Sequence, residues 1–411
     1  MVTSPELDRG AILRESAAAA RHLARICFKT GPPTHTGLEL EWTVHDAADP
    51  SRPVDRARLR AALGGHCPAT LDETSPARPL RHGSAVSLEP GGQVEISTPP
   101  RASLGALVRA TELDIAEVTG LLRGAGLVLG RTGIDPHRGP HPVVDTPRYR
   151  AMRRAFDHRG PAGRTMMYCT AGLQICLDAG EPEHLPLRWA VAHTVGPPLL
   201  AAFATSRRHA GRGTRWASAR MAAWLAIDPA RTGPVWSPAR PDEDPVAAWT
   251  RYVLAAPLLC LRTPGPDWTA PPGVTFADWL AGALPRPPTT DDLDYHVSTL
   301  FPPVRPRGYL ELRYLDAQPG AAWRVPLAVL AALFADTEVL HAAHLVSAPV
   351  ADRWHQAARH GLGDRPLATA AARLLDLALA GLPRLDLPHD LHEEIHRDVR
   401  RRRTAAERGD R

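Results

Sequence analysis

Glutamates in this chain recur at spacings that turn pairs of them to one side of a strand. In Gly37-Leu-Glu-Leu-Glu-Trp-Thr-Val44, strict alternation puts Leu38, Leu40 and Trp42 on one face and Glu39, Glu41 and Thr43 on the other. Residues two apart on a strand face lie roughly 6.5–7 Å apart, near enough for two carboxylates to share or flank a divalent cation. Taken alone, such a pair reads more readily as the solvent-exposed face of an edge strand. Leu88-Glu-Pro-Gly-Gly-Gln-Val-Glu-Ile96 repeats the theme around a turn. Pro90-Gly91-Gly92 is turn chemistry, Val94 and Ile96 point one way, Gln93, Glu95 and Ser97 point the other, and Glu89 enters from the far arm.

Two further stretches extend the pattern. Met166 to Asp178 reads as a strand with Tyr168, Thr170, Gln174 and Cys176 on a polar face and Met167, Leu173 and Ile175 on a core face. Gly308 to Asp316 sets Leu310, Leu312 and Tyr314 against Glu311 and Arg313, a cation beside an anion that fits a cross-strand ion pair as well as a site. A polar sheet face that merely met water would carry mixed Lys, Thr, Ser and Arg; paired glutamates on successive strands point to a bound cation. Oxygen ligands without His or Cys clusters favour Mg²⁺ or Mn²⁺, and Mg²⁺ commonly bridges carboxylates to nucleotide phosphates. Neither G-x-x-x-x-G-K-[ST] nor a strand-borne G-x-G-x-x-G is present, and Lys29 is the sole lysine. Phosphate chemistry here rests on arginine and metal.

The elements that must hold these residues follow from periodicity. Residues 5–27 read as an amphipathic helix, 46–82 as an irregular surface excursion, 104–122 as a helix and 127–130 as a buried strand. Helical patterns occupy 184–204, and Arg220, Trp224 and Asp228 fall on one face of a helix ended by Pro229. Shorter helices are expected around 245–254, 276–284 and 291–299, and Ala/Leu-rich scaffold helices over 321–347, 349–360 and 366–381. The basic stretch from His396 to Arg403 reads as part of a solvated, flexible tail over 397–411.

The 411 residues carry 49 basic against 44 acidic side chains, a balance that argues against a nucleic-acid partner. Five cysteines without a C-x-x-C pair support neither a disulfide framework nor a zinc site and fit a reducing cytoplasm. The N-terminus lacks the pattern of a signal peptide, and no apolar run reaches the roughly 18 residues that read as a membrane span.

The motifs Glu39-Leu-Glu41, Ser87-Leu-Glu-Pro-Gly-Gly-Gln-Val-Glu95, Gln174-Ile-Cys-Leu-Asp178, Arg220 to Trp224 with Asp228 and Arg231-Thr-Gly233, His296 to Phe301, and Tyr309-Leu-Glu-Leu-Arg313 occur in collinear order over about 37–340. With them the chain resembles the glutamate-cysteine ligases, in particular the branch shared by plants and actinobacteria, among the carboxylate-amine ligases. The resemblance implies an α+β fold with a glutamine-synthetase-like catalytic domain, in which a curved, mainly antiparallel sheet presents a polar active-site face and helices cover it. It implies one catalytic domain over 1–411. It gives the metal-binding role to Glu39, Glu41, Glu89, Glu95 and Glu311, a catalytic role to Arg313 and Arg220, and contacts with substrate or ATP to Gln93, Thr170, Gln174, His296, Tyr309 and Arg313. Cys176, Ala255 and Thr205 depart from the plant pattern. The implied reaction joins the L-glutamate side-chain carboxylate to the L-cysteine amine, with ATP as substrate and Mg²⁺ or Mn²⁺ as cofactor, supplying ergothioneine-type thiol synthesis without an obligate protein partner. A ligase or phosphotransferase of the same fold with another amino acid, and a non-catalytic Mg-nucleotide binding protein, are the competing readings.

Overall fold

Six strands carry the acidic motifs. Numbered β1 to β6 in chain order, they are Thr36–Trp42, Ala85–Leu88, Val94–Ser97, Gly172–Leu177, Val304–Pro306 and Leu310–Asp316. In the computed structural model, which describes residues 10–409, they form one sheet in the order β2-β3-β1-β4-β6-β5, each neighbouring pair antiparallel. The α+β class with a mainly antiparallel sheet is therefore as the sequence implies. Alternation buries Leu38, Leu40, Val94, Ile96, Leu173, Ile175, Leu310 and Leu312 within one continuous apolar cluster. Each such side chain contributes about 1.5–3 kcal/mol of burial, and this commits the opposite, polar positions to a common face.

Helices Leu104–Gly124, Leu185–Thr194, Gly196–Phe203 and Ala219–Leu225 pack against β1 and β6. The first starts where Ser103 accepts a hydrogen bond from the Ala106 amide, an N-cap that the Ser-Leu-Gly-Ala sequence provides. Among the described residues no single helix is long and apolar enough to cross a membrane.

Several expectations need correction. The first helix runs Ser16–Cys27, and the expected residues 5–9 lie outside the described residues. The excursion 46–82 contains a helix, Arg56–Leu63, capped by Asp55 and seated on Leu59, Ala62 and Leu63. The pattern over 184–204 divides at Val195 into two helices. Met166 to Cys169 end a helix, Ala162–Cys169, and only Gly172–Leu177 is strand. Arg220 and Trp224 share the helix Ala219–Leu225, whereas Asp228 caps the next one, Pro229–Thr232, so Pro229 begins a helix instead of ending one. The flexible tail is contradicted most clearly, because His389–Arg408 is a helix packed against Arg365–Gly381 with Ile395, Val399 and Ala406 buried.

Candidate active site

Register, not sequence proximity, assembles the polar face. Glu41 stands opposite Glu95 across β1 and β3, and Glu39 opposite Gln174 across β1 and β4. Cys176 stands opposite Glu311, and Glu311 opposite Arg305. Directly paired residues in an antiparallel ladder share a face. Glu39, Glu41, Glu95, Gln174, Glu311 and Arg305 consequently converge on one side, with Ser87 beside Glu95 on β2.

Hydrogen bonds link this face across four strands. Glu41 accepts from the Gly172 amide at 2.7 Å and from Gln174 Nε2 at 2.8 Å. Gln174 Oε1 accepts in turn from Arg313, whose Nη1 also donates to Glu311 Oε2 at 2.8 Å. Arg305 grips Glu311 through Nε at 2.6 Å and Nη2 at 3.2 Å, and Arg307 Nη1 adds a contact at 3.3 Å. Burial would push the Glu311 carboxyl up, but Arg305 and Arg313 beside it hold it well below the usual carboxylate range. Glu311, expected as a metal ligand, here accepts hydrogen bonds from all three arginines. Arg305 and Arg307 escaped the sequence reading. The available signal was Val304-Arg-Pro-Arg307, one strand length before Glu311.

The other end of the face is short of cations. Burial first, and then Glu39, Glu41 and Glu89, push the Glu95 carboxyl well above its ordinary range, against a 2.6 Å hydrogen bond from the Ser87 hydroxyl. Burial and Glu41 raise Glu89 to about 7, opposed by Arg313 and Arg148. Burial and Glu311 raise Glu39. Carboxylates that hold one another's protons in this way constitute a charge excess that a cation relieves. The donor set is all oxygen apart from Cys176, whose thiol is pushed well up by burial and by Glu311, so the residues fit Mg²⁺ or Mn²⁺.

The glycines of the turn have separate reasons. A Cβ on Gly91 would collide with the Tyr168 carbonyl, and Gly92 has φ of +81°, where glycine alone is unstrained. Gln93 is buried and donates through Nε2 to the Thr170 carbonyl at 2.9 Å, tying the turn to the end of the helix Ala162–Cys169. Its Oε1 has no hydrogen-bond partner among the described residues. The Thr170 hydroxyl donates to the Met166 carbonyl at 2.6 Å, so Thr170 offers backbone to Gln93 while its side chain closes the helix.

Arg220, also buried, donates to the Arg313 carbonyl at 2.9 Å, and both guanidiniums stack on the Trp224 indole, with their central carbons 5.2 and 5.8 Å from the ring centroid. These contacts put Arg220 behind Arg313 as a positioning residue, where a direct catalytic role was expected. Tyr309 lines a cavity of about 400 Å³ with Glu39, Ser97, Cys176 and Asp178. His296 is placed differently. Its ring is buried against Phe276, with Nε2 2.9 Å from the Val253 carbonyl, and burial lowers its pKa to about 3. These are the contacts of a packing residue in the helical layer, not of an expected substrate ligand.

The family described as glutamate-cysteine ligase family 2 (GCS2) matches residues 35–407 of this chain. The glutamate–cysteine ligase EgtA of Mycobacterium tuberculosis (strain ATCC 25618 / H37Rv) is 38% identical over 378 residues, covering 90% of this chain and 84% of that protein. The EgtA of Mycolicibacterium smegmatis is 37% identical over 403 residues, covering 95% and 89%. The chloroplastic glutamate–cysteine ligase of Medicago truncatula is 29% identical over 254 residues, covering 60% and 49%. Among solved structures, a bifunctional glutathione synthetase from Pasteurella multocida shares the fold with a TM-score of 0.51 at 15% identity; the match covers 96% of this chain and 51% of that one, about half its length.

Proposed function

This chain belongs to glutamate-cysteine ligase family 2, and we propose that it joins the side-chain carboxylate of L-glutamate to the amine of L-cysteine at the expense of ATP. The observation that carries the reading is the linked array Glu41–Gln174–Arg313–Glu311 lying beside the crowded carboxylates Glu39, Glu89 and Glu95. One end is built for anions and the other for cations, as a Mg-nucleotide and an anionic substrate require.

A carboxylate is a poor electrophile because its leaving group would be oxide. An oxygen of the glutamate side chain therefore attacks the γ-phosphorus of ATP and ADP departs, leaving an acyl phosphate. The cysteine nitrogen then attacks the acyl carbon, the carbon–oxygen bond to phosphate breaks, and the nitrogen loses a proton. Arg313, fixed by Glu311 and Gln174, holds its guanidinium against the phosphoryl oxygens as charge moves through them. Arg220 and Trp224 keep that guanidinium in register. Gln174 bonds both Arg313 and Glu41, so one side chain fixes the anion-binding end relative to the cation-binding end. Glu39, Glu41, Glu89, Glu95 and Glu311 would hold Mg²⁺ or Mn²⁺, which when bound supplies charge neutralisation between the two anionic reactants. The product γ-glutamylcysteine feeds ergothioneine-type thiol synthesis, and the cytoplasm is the compartment proposed.

ADP formation in the presence of Mg²⁺ should require both L-glutamate and L-cysteine. ADP formed with glutamate and another amine but not with cysteine would overturn the substrate assignment, and nucleotide binding without turnover for any amine would overturn the reaction.

A further inference from the structure

Three arginines hold Glu311, and they are not equivalent. Arg305 and Arg313 are buried, whereas the Arg307 side chain is 48% exposed. Its Nη1 lies 3.3 Å from Glu311 Oε1 and 3.9 Å from Glu39 Oε1, so one guanidinium spans the carboxylates of β6 and β1 over the intervening β4. Cys176 projects from β4 between them. A ligand atom of each of Glu39, Cys176 and Glu311 lies within 4.8 Å of the others, a spacing at which one divalent cation can reach both carboxylates. The same position thus suits a singly charged guanidinium or a doubly charged ion.

We propose that Arg307 is the resident counter-ion of the Glu39–Glu311 pair and that a divalent cation bound there displaces it. The inference rests on the metal-dependent reading above and adds a residue that this reading leaves out. Arg307 is the arginine that can leave. Arg305 forks onto both Glu311 oxygens, and Arg313 is tied to Gln174 as well as Glu311, while Arg307 makes the longer, more solvated contacts, which are the weaker kind. It also has somewhere to go, because it lines a second cavity of about 330 Å³ in which Asp294 offers another carboxylate. Release of Arg307 as another cation binds keeps a positive charge against the Glu39–Glu311 pair throughout.

Mn²⁺ binding by isothermal titration, without nucleotide, tests this on the wild type, Arg307→Met and Arg307→Lys. Removing the competing charge should tighten Mn²⁺ binding about fivefold in Arg307→Met, the scale of an exposed ion pair, and Arg307→Lys should bind close to wild type. Anomalous scattering from a wild-type crystal soaked in Mn²⁺ should place the ion between Glu39 and Glu311 with Arg307 turned away, a measurement independent of how the variants fold. Equal affinity in wild type and Arg307→Met, or Mn²⁺ elsewhere with Arg307 still on both carboxylates, overturns the displacement and leaves the metal-dependent ligase intact. No Mn²⁺ binding in wild type or Arg307→Met overturns both.

Discussion

The guanidinium of Arg220 lies against the backbone of Gly172, at the start of β4. A Cβ at position 172 would collide with its Nη2 and come within 2.9 Å of its central carbon. Gly172 therefore does two jobs, since its amide also donates to Glu41 at 2.7 Å. Arg220 is buried and cannot swing into solvent, so Gly172→Ala should push it off the Arg313 carbonyl and loosen the stack on Trp224. A displacement of that kind next to Arg313, the arginine proposed to meet the phosphoryl group, should cost on the order of 10²-fold in kcat while unfolding stays cooperative. Steady-state ADP release and a thermal melt on the same preparation check this. An unchanged kcat would dissociate Arg220 from catalysis.

Two glutamates on the site should respond oppositely to truncation. Glu311→Ala strips the buried Arg305 and Arg313 of their counter-ion, and leaving buried charges unpaired costs on the order of 3–5 kcal/mol. Glu89→Ala removes one member of a repelling group, so metal-free stability should hold or rise while turnover is lost. Urea unfolding of both variants without divalent cations separates them. Equal destabilisation would mean that Glu89 is structurally paired.

The raised pKa of Glu89 has a definite sign. With its folded-state value at about 7, the folded protein keeps a proton that the unfolded chain has already released. The stabilisation from this group is fully present below the ordinary carboxylate value and is lost as the pH rises to about 7. A divalent cation competes with that proton, so apparent Mn²⁺ affinity should climb with pH up to about 7 and then level off. Glu95, raised by burial and the same neighbours, acts in the same direction, whereas Glu311 is depressed and loses its contribution only as the pH falls through its lowered value. Titrations from about pH 5.5 to 8 test the slope. A flat profile would separate Glu89 from the metal.

Much of this site is legible in the chain because a sheet has a period of two. Once Leu38, Leu40 and Trp42 are assigned to the core, Glu39 and Glu41 have no other direction to take, and the same holds for Glu95 and Glu311. The turn is legible because Gly91 and Gly92 meet distinct backbone demands. What stayed hidden depended on partners far away in sequence. Met166 to Cys169 satisfy a helical as well as a strand pattern, and the Thr170 hydroxyl on the Met166 carbonyl closes the helix. Arg305 is one arginine among prolines until register sets it opposite Glu311. His296 sits in a matching motif, yet its burial against Phe276 is decided by helices distant in the chain.

The basic C-terminal segment shows the same limit and supplies a sharp test. Charge density alone reads as a solvated tail, but within His389–Arg408 the arginines differ by helical phase. Arg402 points inward, donating to the Ala202 carbonyl at 2.6 Å and to Gln318 Oε1 at 3.3 Å, with its guanidinium 4.6 Å from the Phe203 ring centroid. Burial lowers its pKa to about 10. Gln318 follows the end of β6 and donates to the Asp316 carbonyl at 2.9 Å, so this helix braces the strand that carries Glu311 and Arg313. Arg402→Ala removes hydrogen bonds made by a half-buried charge and should cost about 1.5–3 kcal/mol. Arg400→Ala, two residues away on the exposed side, should stay within about 0.5 kcal/mol of wild type. Urea midpoints and slopes measured in parallel decide the matter: if the two variants unfold alike, the segment is the loose tail that its charge suggests, and if only Arg402→Ala falls, the C-terminal helix is part of the catalytic scaffold.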